Sequence, residues 1–276
     1  MNRFLSIALM GSIFLTGCVS TKPIQYPASG SNTTISVSSE SSTYIKESVA
    51  GDYFINDSQI IVGDASNTST NVASGMFGLI GVGVAISIDK KLNGSAISKS
   101  TIKQPIKFDQ LVQQKINTAL AANQTDSSLK LLVSDQLADI KIVPFARISF
   151  SEKPNVKVIY GLKAQLKNSA DNNASAKRFY NYVSLSKMPL EQWDSNNNAA
   201  FMQTADKAFE ALSQVLVMDI QHQLNLDTVS DSKQKTCVAD RAIGDIYFIE
   251  SPDHLCIAAV KFKNKTLTDR LLIIEQ

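Results

Sequence analysis

The chain has 276 residues, 44% of them apolar and 19% charged, with 27 basic against 25 acidic residues and a formal net charge of +2. That balance suits an ordinary globular protein and leaves no basic footprint for nucleic acid, while the length suits one or two domains able to bury a core. No run reaches the ~18–20 apolar residues that a membrane-spanning helix needs.

Met1–Asn2–Arg3 is a short positive start, and Phe4 to Leu15 is an apolar run too short to span a bilayer comfortably. Together they read as a secretory signal peptide over residues 1–17. Leu15–Thr16–Gly17–Cys18 resembles the lipobox of bacterial lipoproteins. The resemblance implies cleavage between Gly17 and Cys18 and lipidation of the Cys18 thiol and of its new amine, with palmitate-type chains. Several acyl chains anchor a protein stably where one binds only marginally. Val19 stands where the enterobacterial sorting rule reads Asp as retention, so the expected location is the outer membrane, facing the periplasm. The plainer alternative is an ordinary signal peptide followed by an incidental cysteine. With Cys18 lipidated, Cys237 and Cys256 remain as a candidate disulfide in an oxidising compartment.

Residues 18–43 are rich in Ser, Thr and Pro and read as a flexible tether. An α+β periplasmic domain is expected over 44–226, with short β-like pieces at Asp52–Ile55 and Ile60–Val62. Residues 74–92 are apolar with glycines at Gly75, Gly78, Gly81 and Gly83. Three readings fit them: a close-packed buried helix, a strand or turn pair, or a glycine-lined interaction helix. From Ile106 to Ala122 the spacing predicts a helix, with Phe108, Leu111, Ile116 and Leu120 facing a sheet. A short helix or turn is expected at Ser128–Gln136.

Strands follow. Ile140 to Phe150 is one, with Pro144 marking a bulge or an edge. Val156 to Leu166 alternates apolar residues with Lys157, Gly161, Lys163, Gln165 and Lys167, which predicts an antiparallel strand with one buried face. Phe179 to Leu185 is a third. A long helix is expected from Ala199 to about Leu224, with Asn198 as its N-cap and Phe201, Ala205, Ala208, Leu212, Val215, Leu216 and Ile220 as its apolar stripe. Residues 235–276 read as a small β unit of three strands, closed by Cys237 and Cys256. The expected class is α+β: an antiparallel sheet packed by two or three helices, with a small C-terminal all-β appendix.

Chemistry is sparse. His222 and His254 are the two histidines, and neither falls in a nucleophile motif. A Cys₂His₂ metal site is conceivable, but the spacings match no zinc module and export favours a disulfide. Neither a metal nor another cofactor is expected. Lys157, Lys163 and Lys167 read as a solvated face, and Tyr180, Tyr182 and Trp193 as core or, alternatively, a partner groove.

The order lipobox, Gly-rich apolar segment, helix, "ADIKIVPFARISF", alternating strand and long helix resembles a loose group of proteobacterial lipoproteins. In architecture it is also similar to the auxiliary lipoproteins of ABC lipid-transport systems and to CsgG/TolB-type periplasmic domains, over roughly residues 74–224. The resemblance implies no catalytic residue. The expected function is binding or scaffolding in the cell envelope, without catalysis, through the lipid anchor and an envelope protein partner. The alternatives are an oligomeric subunit of an export or lipid-transport machine, and an envelope hydrolase using His222 or His254.

Overall fold

The structure, a computed structural model, describes residues 24–41, 53–54, 57–63, 106–123, 128–132, 137–149, 155–167, 176–184, 186–224, 246–249, 256–262 and 265–275. The described strands are β1 (Thr33–Val37), β2 (Tyr53–Phe54), β3 (Ile60–Gly63), β4 (Leu129–Leu131), β5 (Ile140–Ser149), β6 (Asn155–Leu166), β7 (Lys177–Val183), β8 (Met188–Pro189), β9 (Ile246–Ile249), β10 (Cys256–Phe262) and β11 (Lys265–Ile274). The described helices are α1 (Asp109–Ala122) and α2 (Leu190–Ile220). The class is α+β.

β5, β6 and β7 form an antiparallel meander, as the alternation at Val156–Leu166 predicts. Around it the sheet is mixed and not purely antiparallel. β1 and β3 both pair parallel with β5, and β11 pairs parallel with β7. Parallel neighbours need long crossovers, and here α1 lies between β3 and β5 in the chain and α2 between β7 and β11. β9, β10 and β11 are appended to the sheet beyond β7, and Ile257, Ala259, Leu271 and Ile273 join the main core.

Pro144 sits inside this sheet, opposite Leu162, with no register shift. The Ile142 carbonyl accepts from Ser38 N, and Ala146 N donates to the Gln59 carbonyl, so these residues aim their backbone groups away from β6. Every second residue of a strand shares that direction. Pro144 therefore aims its missing N–H into the interval between β1, which ends at Val37, and β3, which starts at Ile60. The expectation of an edge or bulge gives way to a gap between two end-to-end neighbours.

The tether expectation fails over residues 24–41. Thr33–Val37 is β1, and Ile24, Tyr26, Ile35 and Val37 are buried in the core. Ile35 and Val37 alternate with Thr34 and Ser36, which is a strand pattern hidden in a Ser/Thr-rich composition. Leu129–Leu131, expected as a helix or turn, is instead a short strand parallel to β1.

α1 buries Val112, Ile116 and Ala119, with Leu111 and Leu120 packed at its margins and Phe108, just ahead of it, fully buried, as the spacing predicts. It also packs on α2, where Lys115 Nζ reaches Asp206 (2.9 Å) and Glu210 (3.2 Å). α2 starts earlier than Ala199. Asn198 is not its N-cap; Asn196 (φ 53°) and Asn198 (φ 64°) are left-handed residues inside Leu190–Ile220, a conformation Asn tolerates better than most. The expected stripe, Phe201 to Ile220, is buried as predicted. Phe108, Tyr160, Phe201 and Phe209 form one aromatic cluster, with ring centroids 5.0–6.4 Å apart.

The opposite sheet face is also apolar. Ile61, Val143, Phe145 and Phe179 cluster there, and Phe145 covers Gly161 on the neighbouring strand. Lys163, expected on a solvated face, is buried beside them, whereas Lys167 is exposed. Around Gly161 and Lys163 the alternation along β6 therefore separates two packed faces, while Lys157, Ile159 and Gln165 on the second face are half-buried.

Candidate functional site

The densest polar chemistry among the described residues is a buried clasp that fastens the N-terminal segment to the end of α2. Arg178 and Asp219 are about 95% buried, with Arg178 Nη1 donating to Asp219 Oδ2 at 2.5 Å. Tyr180 donates its hydroxyl proton to the same carboxylate oxygen. A phenol has one proton, so the 2.7 Å contact between Tyr26 and Tyr180 is a bond donated by Tyr26. Arg178 Nη2 donates to the Ile24 carbonyl at 3.2 Å, and the guanidinium lies 5.6 Å from the Tyr26 ring centre.

The sequence builds this locally. Arg178, Tyr180 and Tyr182 alternate along β7 and share its inward face. Asp219 lies one residue before the end of α2, where the helix dipole opposes a negative charge. The paired guanidinium offsets that. Burial raises the Tyr180 pKa, and the Asp219 charge beside it adds to the rise. Tyr26 is raised for the same two reasons in the same order. Burial works against the Arg178 charge, but the oxygens of Tyr180 and Asp219 outweigh it and raise its pKa. The clasp thus holds one ion pair and two neutral phenols.

α2 ends in a Schellman motif: Gln223 N donates to the Met218 carbonyl (2.8 Å) and His222 N to the Asp219 carbonyl (3.1 Å). His222 occupies the left-handed position usually given to Gly, at φ 58°. Its Nε2 bonds the Pro27 carbonyl at 2.7 Å, which makes it the protonated nitrogen. Ser29 Oγ donates to the Gln221 carbonyl at 3.1 Å.

Further along, Asp139 accepts from both Thr34 N (2.8 Å) and Thr34 Oγ1 (2.7 Å). These bonds hold its pKa below the usual carboxylate value. Gln59 is fully buried and spends its whole side chain: Nε2 donates to the Ser38 (3.0 Å) and Glu40 (3.1 Å) carbonyls, and Oε1 accepts from Phe108 N (2.6 Å). Lys141 pairs with Glu40 at 2.5 Å. Each fastening ends on residues 24–41, so the segment is part of the body's architecture.

Of the residues singled out from sequence, Gly17, Cys18, Gly75, Gly78, Gly81, Gly83, Cys237 and His254 lie outside the described residues. Cys256 is buried in β10. His222 serves as a helix terminator that holds Pro27. Tyr180, Tyr182 and Trp193 are all buried, and Trp193 Nε1 donates to the Val156 carbonyl at 3.1 Å. Sequence reasoning missed Tyr26, Arg178 and Asp219. The available signal was Arg178 itself, a charge on the inward face of a strand, which demands a buried partner. No group of three or more His, Cys, Asp or Glu among the described residues could hold a metal ion.

No family model matches the chain, and no curated protein does. Among solved structures, a crystal structure of a DUF330 protein from Xanthomonas campestris is a distant neighbour. It shares 11% identity and has a TM-score of 0.32, covering 74% of this chain and 94% of that one.

Proposed function

We propose that this chain is a lipid-anchored, non-catalytic binding or scaffolding protein of the bacterial cell envelope. It is held by acyl chains on Cys18 at the outer membrane and faces the periplasm. The observation that carries the reading is Leu15–Thr16–Gly17–Cys18, placed directly after a positive start and an apolar run. Val19 supports the outer membrane over the inner one. The burial of Cys256 in a strand suits a Cys237–Cys256 disulfide, which in the chain-entropy model contributes about 3 kcal/mol for a loop of this size.

The test is metabolic labelling with an alkyne-bearing fatty acid, followed by intact mass of the mature protein. Label on an amino-terminal Cys18, abolished in Cys18→Ala, is the expected result. An unmodified chain, or one with its leader uncut, refutes the anchor. Thiol titration of the unreduced, denatured Cys18→Ala protein should find no reactive sulfur, and two free thiols would refute the disulfide.

A further inference from the structure

If Cys18 is the anchor, the structure has a consequence for where the body can sit. The five residues Val19–Pro23 separate Cys18 from Ile24, which is buried and bonded through its carbonyl to Arg178. Six Cα steps reach at most about 20 Å, against about 90 Å had the whole of 18–43 been a free linker. Ile24 is tied to the C-terminal end of α2: its carbonyl bonds Arg178, which pairs with Asp219, while Pro27 is bonded to His222 and Ser29 to Gln221.

We propose that this end, Ala28–Ser31 together with the exposed His222 and Gln223, lies against the headgroup layer of the bilayer that holds the anchor. Its chemistry suits that contact. Neither Ile24 to Thr34 nor Gln221 to Leu224 contains an Asp, Glu, Lys or Arg. Asp219, near the end of α2, is buried in its ion pair, and the exposed Asp139 is bonded to Thr34, outside Ala28–Ser31. Ala28, Ser29, Gly30 and Ser31 are exposed and small, and the two serines carry hydroxyls. The inference rests on the lipid-anchor reading.

The test uses the full lipidated protein in vesicles of phosphatidylethanolamine and phosphatidylglycerol, with a benzophenone amino acid at Ala28 or at Ala199. Both positions are exposed. Ala199 lies about 33 Å along α2 from Gln221. Several-fold more lipid adduct from Ala28 than from Ala199 is expected. A Gly/Ser insertion of about twenty residues before Pro23 should level the two, because the reach grows with the linker. Equal adducts in the native-length protein, an excess at Ala199, or an Ala28 signal unmoved by the insertion would each overturn the apposition while leaving the anchor intact. Protein that fails to sediment with the vesicles overturns the anchor, and the apposition with it.

Discussion

Asp219→Ala tests the clasp most directly. The carboxylate accepts from Arg178 Nη1 at 2.5 Å and from the Tyr180 hydroxyl, and both ionic side chains are at most 5% exposed. Removing it leaves a guanidinium buried without its counter-charge, which costs about 3–5 kcal/mol. Against a total stability of ~5–15 kcal/mol, that is a large fraction. Urea unfolding of residues 19–276 should show the midpoint falling by about 1–2 M, for a urea slope near the upper end of the usual range. Hydrogen exchange should show Thr33–Val37 losing protection. The double variant Arg178→Met/Asp219→Leu should recover most of the loss, because two apolar side chains bury without a stranded charge. The reasoning is refuted if Asp219→Ala lies within about 1 kcal/mol of the parent, or if the double variant is as unstable as the single one.

Gln59→Leu keeps the volume but strands Phe108 N and two carbonyls, so it should cost about 2–5 kcal/mol, while the exposed Gln114→Leu stays within about 0.5 kcal/mol. Equal melting of the two would contradict the role given to Gln59. Gly161→Ala would set a methyl 2.2 Å from Phe145 Cζ. It should destabilise by about 1–3 kcal/mol, an effect that disappears in a Phe145→Ala background in a double-mutant cycle. In alkali, burial keeps Tyr26 and Tyr180 protonated, and burial with Glu275 pushes Tyr182 up to about 12. Unfolded tyrosines ionise near pH 10, so their contribution is complete below that pH and is lost as pH rises through the folded values. Stability should therefore hold to about pH 9 and decline from about pH 10 upward; a rise above pH 10 would contradict the burial. At the end of α2, His222→Ala should destabilise more than His222→Gly, by about 1 kcal/mol, because only Gly takes the left-handed angle without strain.

The elements legible from sequence are those whose partners did not need to be known. The strict alternation from Val156 to Leu166 and the stripe from Phe201 to Ile220 each declare a period by themselves. A Ser/Thr-rich composition hides two inward apolar residues at Ile35 and Val37, so β1 reads locally as tether. Its burial comes from β4 and β5, about a hundred residues away, which no local pattern reports. Pro144 shows the same limit: a local rule placed it at an edge, whereas the ends of two distant strands make room for it. Lys163 looked solvated because alternation tells one face from another without saying what covers either. The clasp was half legible, since Arg178 shares a face with two tyrosines, but Tyr26 and Asp219 reach it only through the topology.

β1 pairs Thr33 with Leu129 and Ile35 with Ile140. β1 must therefore wait for residues made about a hundred positions later before it finds these neighbours. Closing such distant contacts is slow. Until β4 and β5 are made, β1 lacks these two neighbours. The sheet can shut around it only after β5 has arrived.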